Sequence, residues 1–417
     1  MNKCPNPSPT NASLEFSKAE LAPMIRKWPR AEQPLDEYMI EVQKQVAAAV
    51  MEEEVVELCG ERHTPNPNRR YQRSGYHVGA IRVRSEWVPM QIPRVRDVQT
   101  GKAKPLQSYR RLRELSEKQQ TRLVKSIFHG ISQRNFEQVA RECGESFGLS
   151  AATVSRIFQK RTMQILKEFE ARDLSDQQVV VVMLDATQIR NKPILICVGI
   201  TEAGAKTVLG FAELATENAV AVECVLERLI QSGLHYEQGL LFVIDGAKGF
   251  HRAISTVFGG YAQIQRCTQH KRENIKGHLR CEKKKSSVER QLNAVYFGEP
   301  AYRKAKQELN TLQEELEKDG YPAAARSLEK GMEDTLTLHR LGVSANLRPY
   351  LRTTNIMESI NATVKERFRK IRRWNHSEQC HRWVVLGLLE AETKMQNIPR
   401  KGDLAKLKKA LMEHVAP

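Results

Sequence analysis

The sequence predicts an α/β core built on a mixed sheet, interrupted by a helical insertion and preceded by a basic helical and β region. Three observations carry this. Val179 to Leu184 and Leu240 to Ile244 are short unbroken apolar runs, and runs of that kind are strands covered on both faces. Ile194 to Ile200 and Thr207 to Ala212 flank the turn Thr201-Glu202-Ala203-Gly204 and read as an antiparallel meander with the first run. Apolar residues at helical spacing dominate residues 112 to 170, Ala219 to Gln231, and the long stretch after residue 271.

The chain has 417 residues, enough for two or three domains, and its 41% hydrophobic content suffices to bury real cores. Sixty-six Lys and Arg against 49 acids leave a formal charge of +17, which suits a polyanionic partner. Charge by itself leaves nucleic acid, anionic lipid and acidic protein open. No stretch approaches the 18 or more apolar residues of a membrane span, and the start of the chain lacks the apolar core of an export signal. The expectation is a soluble protein of the cytosol, outside the membrane. Its eight cysteines are then expected to be reduced thiols, mostly small core residues, with no structural disulfide.

From the N-terminus, Leu35 to Leu58 carries Met39, Val42, Val46, Val50 and Val55 at near-helical spacing. From Arg69 to Arg96 strand formers alternate with arginines in the pattern of a hairpin that Pro93 closes. Arginines so placed suit phosphate contact, although a charged edge strand reads the same way. Ile131 opens a helix reaching Cys143, and Gly148-Leu149-Ser150 supplies a turn and an N-cap for a second helix bearing Thr153, Ser155, Arg156 and Lys160. Its apolar side is Val154, Ile157 and Phe158. Two helices joined by a turn can be a helix-turn-helix that reads the major groove, and equally a helical hairpin without DNA.

Both buried runs close on an acid, Asp185 and Asp245. If the two strands are parallel neighbours, these carboxylates stand about 5 Å apart and call for a cation. Such acids can bridge a divalent metal pair, for which magnesium favours oxygen ligands, but Asp245-Gly246 is also an ordinary turn dipeptide. A third acid comes from the segment Arg352-Thr353-Thr354-Asn355-Ile356-Met357-Glu358-Ser359-Ile360-Asn361, where Thr354 or Asn355 can cap a helix. On that helix Glu358, Asn361, Lys365, Arg369 and Arg372 share one face, while Ile356, Ile360 and Val364 mark another. Its continuation to Trp374, with Arg373, is strongly cationic and suits a DNA backbone. Cys267 and His270, followed by His278 and Cys281, form a possible zinc quartet, but two pairs on or beside one helix would face differently.

At these residues the sequence resembles the bacterial Mutator-type insertion-sequence transposases, a family of DDE enzymes with a ribonuclease-H-like catalytic domain. The resemblance runs from about Arg69 through Trp374. It rests on Arg70-Tyr71-Gln72-Arg73-Ser74-Gly75, Pro93-Arg94-Val95-Arg96, Gly130-Ile131-Ser132-Gln133-Arg134 and Leu149-Ser150-Ala151-Ala152-Thr153-Val154-Ser155. Further on it takes in Val208-Leu209-Gly210, Asp245-Gly246-Ala247, Gln265-Arg266-Cys267-Thr268-Gln269-His270 and Thr353-Thr354-Asn355-Ile356-Met357-Glu358-Ser359. It implies that Asp185, Asp245 and Glu358 are the catalytic acids and ligands of two Mg²⁺ ions, with Mn²⁺ able to substitute. Cys267 and His270 match the family's Cys-x-x-His signature, with Asn355 and Asn361 beside the third acid. Ala186 departs from the Gly that the family places after its first Asp, while Arg190 keeps a basic residue a few positions on.

The implied domains are 1–110, with a helix and a basic hairpin; 111–172, a helix-turn-helix-like DNA-binding domain; 173–270 with 351–395, the ribonuclease-H-like catalytic domain; 271–350, the insertion; and 396–417, a tail. Arg69, Arg70, Arg94, Arg96, Arg156, Lys160, Arg190, Lys365, Arg369, Arg372 and Arg373 are the expected DNA contacts. The implied partners are double-stranded DNA, as element ends and target, and a second copy of the chain, since two ends are brought together. The residues alone leave open a nuclease that cuts without joining, or a DNA-binding regulator derived from a transposase.

Overall fold

The computed structural model describes residues 34–64, 69–83, 86–131, 149–214, 219–298, 301–368 and 376–415, with Phe136, Val139, Ile371 and Trp374 between them. The chain divides into two compact units, residues 1–127 with 131–157, and residues 128–130 with 158–417.

In the first unit α1 (Leu35–Cys59) packs on a three-stranded antiparallel sheet ordered β1 (Tyr71–Val83), β2 (Glu86–Asp97), β3 (Ala103–Lys104). The buried stripe of α1 is Ala47, Met51, Val55 and Cys59, one residue per turn. Val46 and Val50, expected on that stripe, are exposed, because the sheet meets the helix one residue further round. Ile81, Val83, Val88, Ile92 and Val95 supply the sheet side of this core. Pro93 does not close the strand: β2 runs on to Asp97, and Pro93 pairs with Tyr76 beside the irregularity between Arg73 and Tyr76. A residue without an N–H is tolerated where the ladder is already interrupted. Glu54 of α1 accepts from the amides of Gln107 and Ser108 at 2.8 and 2.7 Å, capping α2 (Gln107–Arg113) from across the core. Next comes α3 (Glu117–Phe128). Of the expected helix pair, the first member lies outside the described residues except for Ile131, which is not helical, Phe136 and Val139. The second is α4 (Ala151–Glu170), where Ser150 Oγ accepts from the Thr153 amide at 3.3 Å and Val154 and Phe158 are buried.

The second unit holds a five-stranded sheet ordered β6-β5-β4-β7-β8. Strands β4 (Val179–Ile189), β5 (Lys192–Thr201) and β6 (Lys206–Glu213) form the antiparallel meander that the sequence predicts. After α5 (Ala219–Gln231), β7 (Leu240–Ile244) lies parallel to β4. After α6 (Lys248–Phe258), β8 (Ala262–Arg266) lies parallel to β7. Alternate β4 residues feed two cores: Val181 and Met183 enter one, Val182 and Leu184 the other, which α5 and α6 cover. Helices on both faces explain why β4 and β7 carry no polar alternation.

From β8 the chain enters helices α7 (Thr268–Lys276), α8 (Glu282–Phe297), α9 (Tyr302–Lys318), α10 (Pro322–Glu329), α11 (Met332–Thr335), α12 (Thr337–Arg340) and α13 (Arg348–Leu351). Leu309, Leu312 and Leu316 lie in a core made by these helices themselves, with Val288, Leu292 and Leu328. Gln265, fully buried in β8, fastens them to the sheet: it donates to the Thr335 carbonyl at 3.1 Å and accepts from the Leu338 amide at 3.0 Å. Helices α14 (Asn355–Arg367), α15 (Ser377–Lys394) and α16 (Lys401–His414) then return to the other face of β4. Arg367 and Glu390 form a forked ion pair that locks α14 to α15, and it holds the Glu390 carboxyl down at about 2. Among the described residues no helix is long and apolar enough to cross a membrane. Six cysteines there are free thiols, and Cys59, Cys197, Cys267 and Cys380 are buried.

Candidate active site

Strands β7 and β8 end side by side next to the middle of β4, and the three residues Asp185, Asp245 and Cys267 fall near these points. The last β4–β7 pair is Met183↔Val243, and two residues further on along each chain stand Asp185 and Asp245, whose charges act on one another. One position beyond Ile244↔Arg266, Asp245 stands level with Cys267, whose amide donates to the Ile244 carbonyl at 2.7 Å. Adjacent strands lie about 4.8 Å apart, so the row is compact. Asp185 is not the last residue of its strand, contrary to expectation: β4 continues to Ile189, paired only with β5, after β7 has turned away.

Helix α14 brings the third acid to this row. Met357, Ile360, Val364 and Phe368 pack into the core beneath β4. Asn361, one turn beyond Glu358, donates from Nδ2 to Asp185 Oδ2 at 2.7 Å. The β4–β5 hairpin tip grips the far end of the helix: Arg190, in the left-handed region at φ 48°, donates to the Phe368 carbonyl at 3.2 Å, and Trp374 Nε1 to the Ile189 carbonyl at 3.4 Å. The helix ends at Arg367 rather than running on to Trp374, because its C-terminal carbonyls are met by Arg190 and by the Phe368 turn. Thr354 stands at the N-cap without a side-chain cap bond; its hydroxyl donates instead to Cys267 Sγ at 3.6 Å.

The electrostatics of the row are tense. Burial raises the Asp185 carboxyl to about 6, the Asn361 bond opposes that, and the charges of Asp245 and Glu358 add to it. Asp245 Oδ1 accepts from the Ala247 amide at 2.8 Å, the turn role that its Asp-Gly sequence allowed. Gly246 has φ 95°, which favours glycine, and a side-chain carbon there would stand 2.2 Å from Nε of the flexible Arg266 side chain, which would have to move. Burial pushes the Cys267 thiol up, but His270 and Thr354 outweigh it and leave the thiol below its ordinary range. His270 is raised to about 9, first by Cys267 and with smaller help from Asp245 and Asp185. Its Nδ1 is buried without a hydrogen-bond partner.

Among the described residues no three His, Cys, Asp or Glu side chains stand close enough to enclose a metal ion by themselves, and this holds for Asp185, Asp245 and Glu358 as it does for the quartet Cys267, His270, His278 and Cys281. Cys267 is buried at the start of α7, whereas Cys281 is exposed at the start of α8, and with His270 and His278 they make no common cluster.

The expected DNA contacts are placed as follows. Arg94 and Arg96 project, exposed, from β2 two residues apart, hence on one face. Arg69 and Arg70 are exposed just before β1, with Arg70 Nε 3.5 Å from Asp97. Arg156 and Lys160 share the exposed side of α4, and Lys365 is exposed on α14 beyond Asn361. Arg369, Arg372 and Arg373 lie outside the described residues. Asn355, exposed, is the first residue of α14. Two participants were not singled out from the sequence: Thr354 as the partner of Cys267, and Arg266, which packs on Gly246 while donating to the Lys330 carbonyl at 2.8 Å. Both sit inside quoted motifs, but only the tertiary contact reveals what they touch.

The sequence profile described as "Transposase, Mutator family" matches residues 17–397. The chain belongs to the Mutator family of transposases. Its family relatives include the transposase for insertion sequence element IS256 in transposon Tn4001 from Staphylococcus aureus, 26% identical over 78% of this chain and 82% of the relative. The transposase for insertion sequence element ISRM5 from Rhizobium meliloti is 26% identical over 84% of this Mutator-family chain and 85% of the relative. That for IS905 from Lactococcus lactis is 28% identical over 63% and 66%.

Proposed function

We propose that this chain is a DDE transposase that binds the terminal inverted repeats of its element, cuts a DNA strand there and joins the freed 3′-hydroxyl to target DNA. The observation that carries the reading is that Asp185 on β4 and Asp245, just past the end of the parallel strand β7, lie within each other's field, with Glu358 brought into it by a helix bonded to Asp185 through Asn361. An α/β sheet with three antiparallel and two added parallel strands, and a helical segment between the second and third acids, is consistent with a ribonuclease-H-like domain.

The donor set fits hard divalent cations such as Mg²⁺. Its members are carboxylate oxygens, they crowd like charges around a partly buried Asp185, and Asn361 Oδ1 is buried beside them without a donor. An incomplete protein shell suits this ion, which keeps water and takes substrate phosphate among its ligands. Asp185, Asp245 and Glu358 would hold it, and when bound it supplies Lewis acidity to the attacking and leaving oxygens of the phosphodiester. Asn361 fixes the Asp185 carboxyl through its Nδ2 bond. His270, charged at neutral pH, offsets the negative field of the row and stands ready to meet phosphate charge. Lys365 and the arginines of the first unit would grip the DNA backbone. Bringing two ends together implies at least a dimer on DNA.

Substituting Ala for Asp185, Asp245 or Glu358 should abolish cleavage of end-bearing DNA while leaving end binding intact; full cleavage by all three variants overturns the assignment. With a pre-cleaved end, recovery of joined product separates a transposase from a nuclease that only cuts.

A further inference from the structure

Three arginines gather at the end of α8 around the ring of Phe297, which is 41% exposed. The Arg352 guanidinium lies 3.7 Å from the ring centroid and that of Arg272 5.3 Å. Arg348 reaches the same corner, donating to the carbonyl of Gly298 at 2.8 Å and, from Nε, to that of Val343 at 2.9 Å.

Their partners are unequal. Arg272 meets Asn293 and, at 4.0 Å, Glu289. Among the described residues the Arg352 side chain meets no acceptor and no carboxylate: its one contact is the ring, and its Nε is buried without a partner. Burial disfavours its charge, and so do Arg272 and Arg348. The Arg352 guanidinium, partnered by no acceptor and pressed by two neighbouring cations, is left with a charge that only an anion from outside would offset.

Its place is informative. The Arg352 carbonyl accepts from the Thr268 amide at 2.9 Å and hydroxyl at 3.2 Å, next to Cys267 in the row of site residues. Two residues on, Thr354 bonds Cys267 and starts the helix of Glu358. The arginine corner therefore borders the carboxylate row on the α7 side.

We propose that Arg352, with Arg272 and Arg348, forms a phosphate-binding subsite for the DNA strand that reaches the carboxylate row, with Phe297 holding the Arg352 guanidinium in place. Planar guanidiniums match phosphate oxygens in pairs, and the ring fixes Arg352 by cation–π contact without consuming its donors. The subsite rests on the reading of the chain as a DNA-acting enzyme.

The test uses full-length protein with Arg352→Gln and Arg352→Lys. Two measurements apply: melting with and without inorganic pyrophosphate, and binding of a duplex oligonucleotide between about 50 and 200 mM salt. Arg352→Gln should melt no lower than the parent, since it removes repulsion, should lose the upward shift that pyrophosphate gives the parent, and should lower the log–log salt slope by about 0.9. Arg352→Lys should keep the slope while binding more weakly, having lost the paired geometry. A pyrophosphate shift and slope that survive unchanged in Arg352→Gln overturn the subsite, as does a fall in its melting temperature that marks Arg352 as merely structural. A parent that binds no duplex at any salt overturns the DNA reading instead, so the two failures are distinguishable.

Discussion

Asp185 concentrates the chemistry at the residue scale. Its carboxyl ordinarily titrates near 3.8 and is raised to about 6, so the folded state disfavours the charged form. The penalty is absent below pH 4, grows between pH 4 and 6 and is full above, at up to about 3 kcal/mol. Cation-free parent protein should therefore lose melting temperature across that window relative to Asp185→Asn. At pH 7.5, Mg²⁺ should raise the melting temperature of the parent and not that of the variant. Parallel pH profiles with no Mg²⁺ effect would remove the strained carboxyl from the account. The sequence showed Asp185 and Asp245 as acids closing buried runs. The contacts of Cys267 with Thr354 and of Arg266 with Gly246 were illegible because the partners are distant in sequence, 87 residues apart in the first case.

Elements were most legible where one period dominated. The runs at β4 and β7 and the helix Ala219–Gln231 appear where the sequence placed them, since strands covered on both faces leave no polar alternation. Faces were harder to assign than elements: α1 buries Ala47 and Met51 rather than Val46 and Val50, because adjacent apolar residues on a helix point about 100° apart and only the sheet decides which are covered. The β7–α6 turn yields a prediction at this scale. Gly246→Ala must adopt φ 95° and push aside Arg266, a strain of about 1–3 kcal/mol. It should lower the melting temperature and reduce cleavage by shifting Asp245, and an unaltered melting temperature and rate would show that the turn gives way without cost.

Over the whole molecule the surplus of 17 positive charges sets the terms of binding to a polyanion. Duplex affinity should fall steeply between about 50 and 200 mM salt, and Arg94→Ala and Arg96→Ala should each lower the log–log slope by about 0.9. Slopes unmoved by either substitution would take β2 out of the DNA-binding face. Charge and the acids after two apolar runs left the partner and ordinary turn chemistry open; it was the resemblance of the separated motifs, the Cys-x-x-His and Thr-Thr-Asn segments among them, that pointed to the Mutator family, because a local motif is a property of neighbouring residues. What only the tertiary structure decided is that Glu358 comes to Asp185 at all. Asn361 lies 176 residues from the carboxylate it bonds, and the packing of α14 under β4 closes that gap. A contact of that separation leaves no periodic trace in the chain, since it is fixed by which faces bury each other and not by what lies next in sequence.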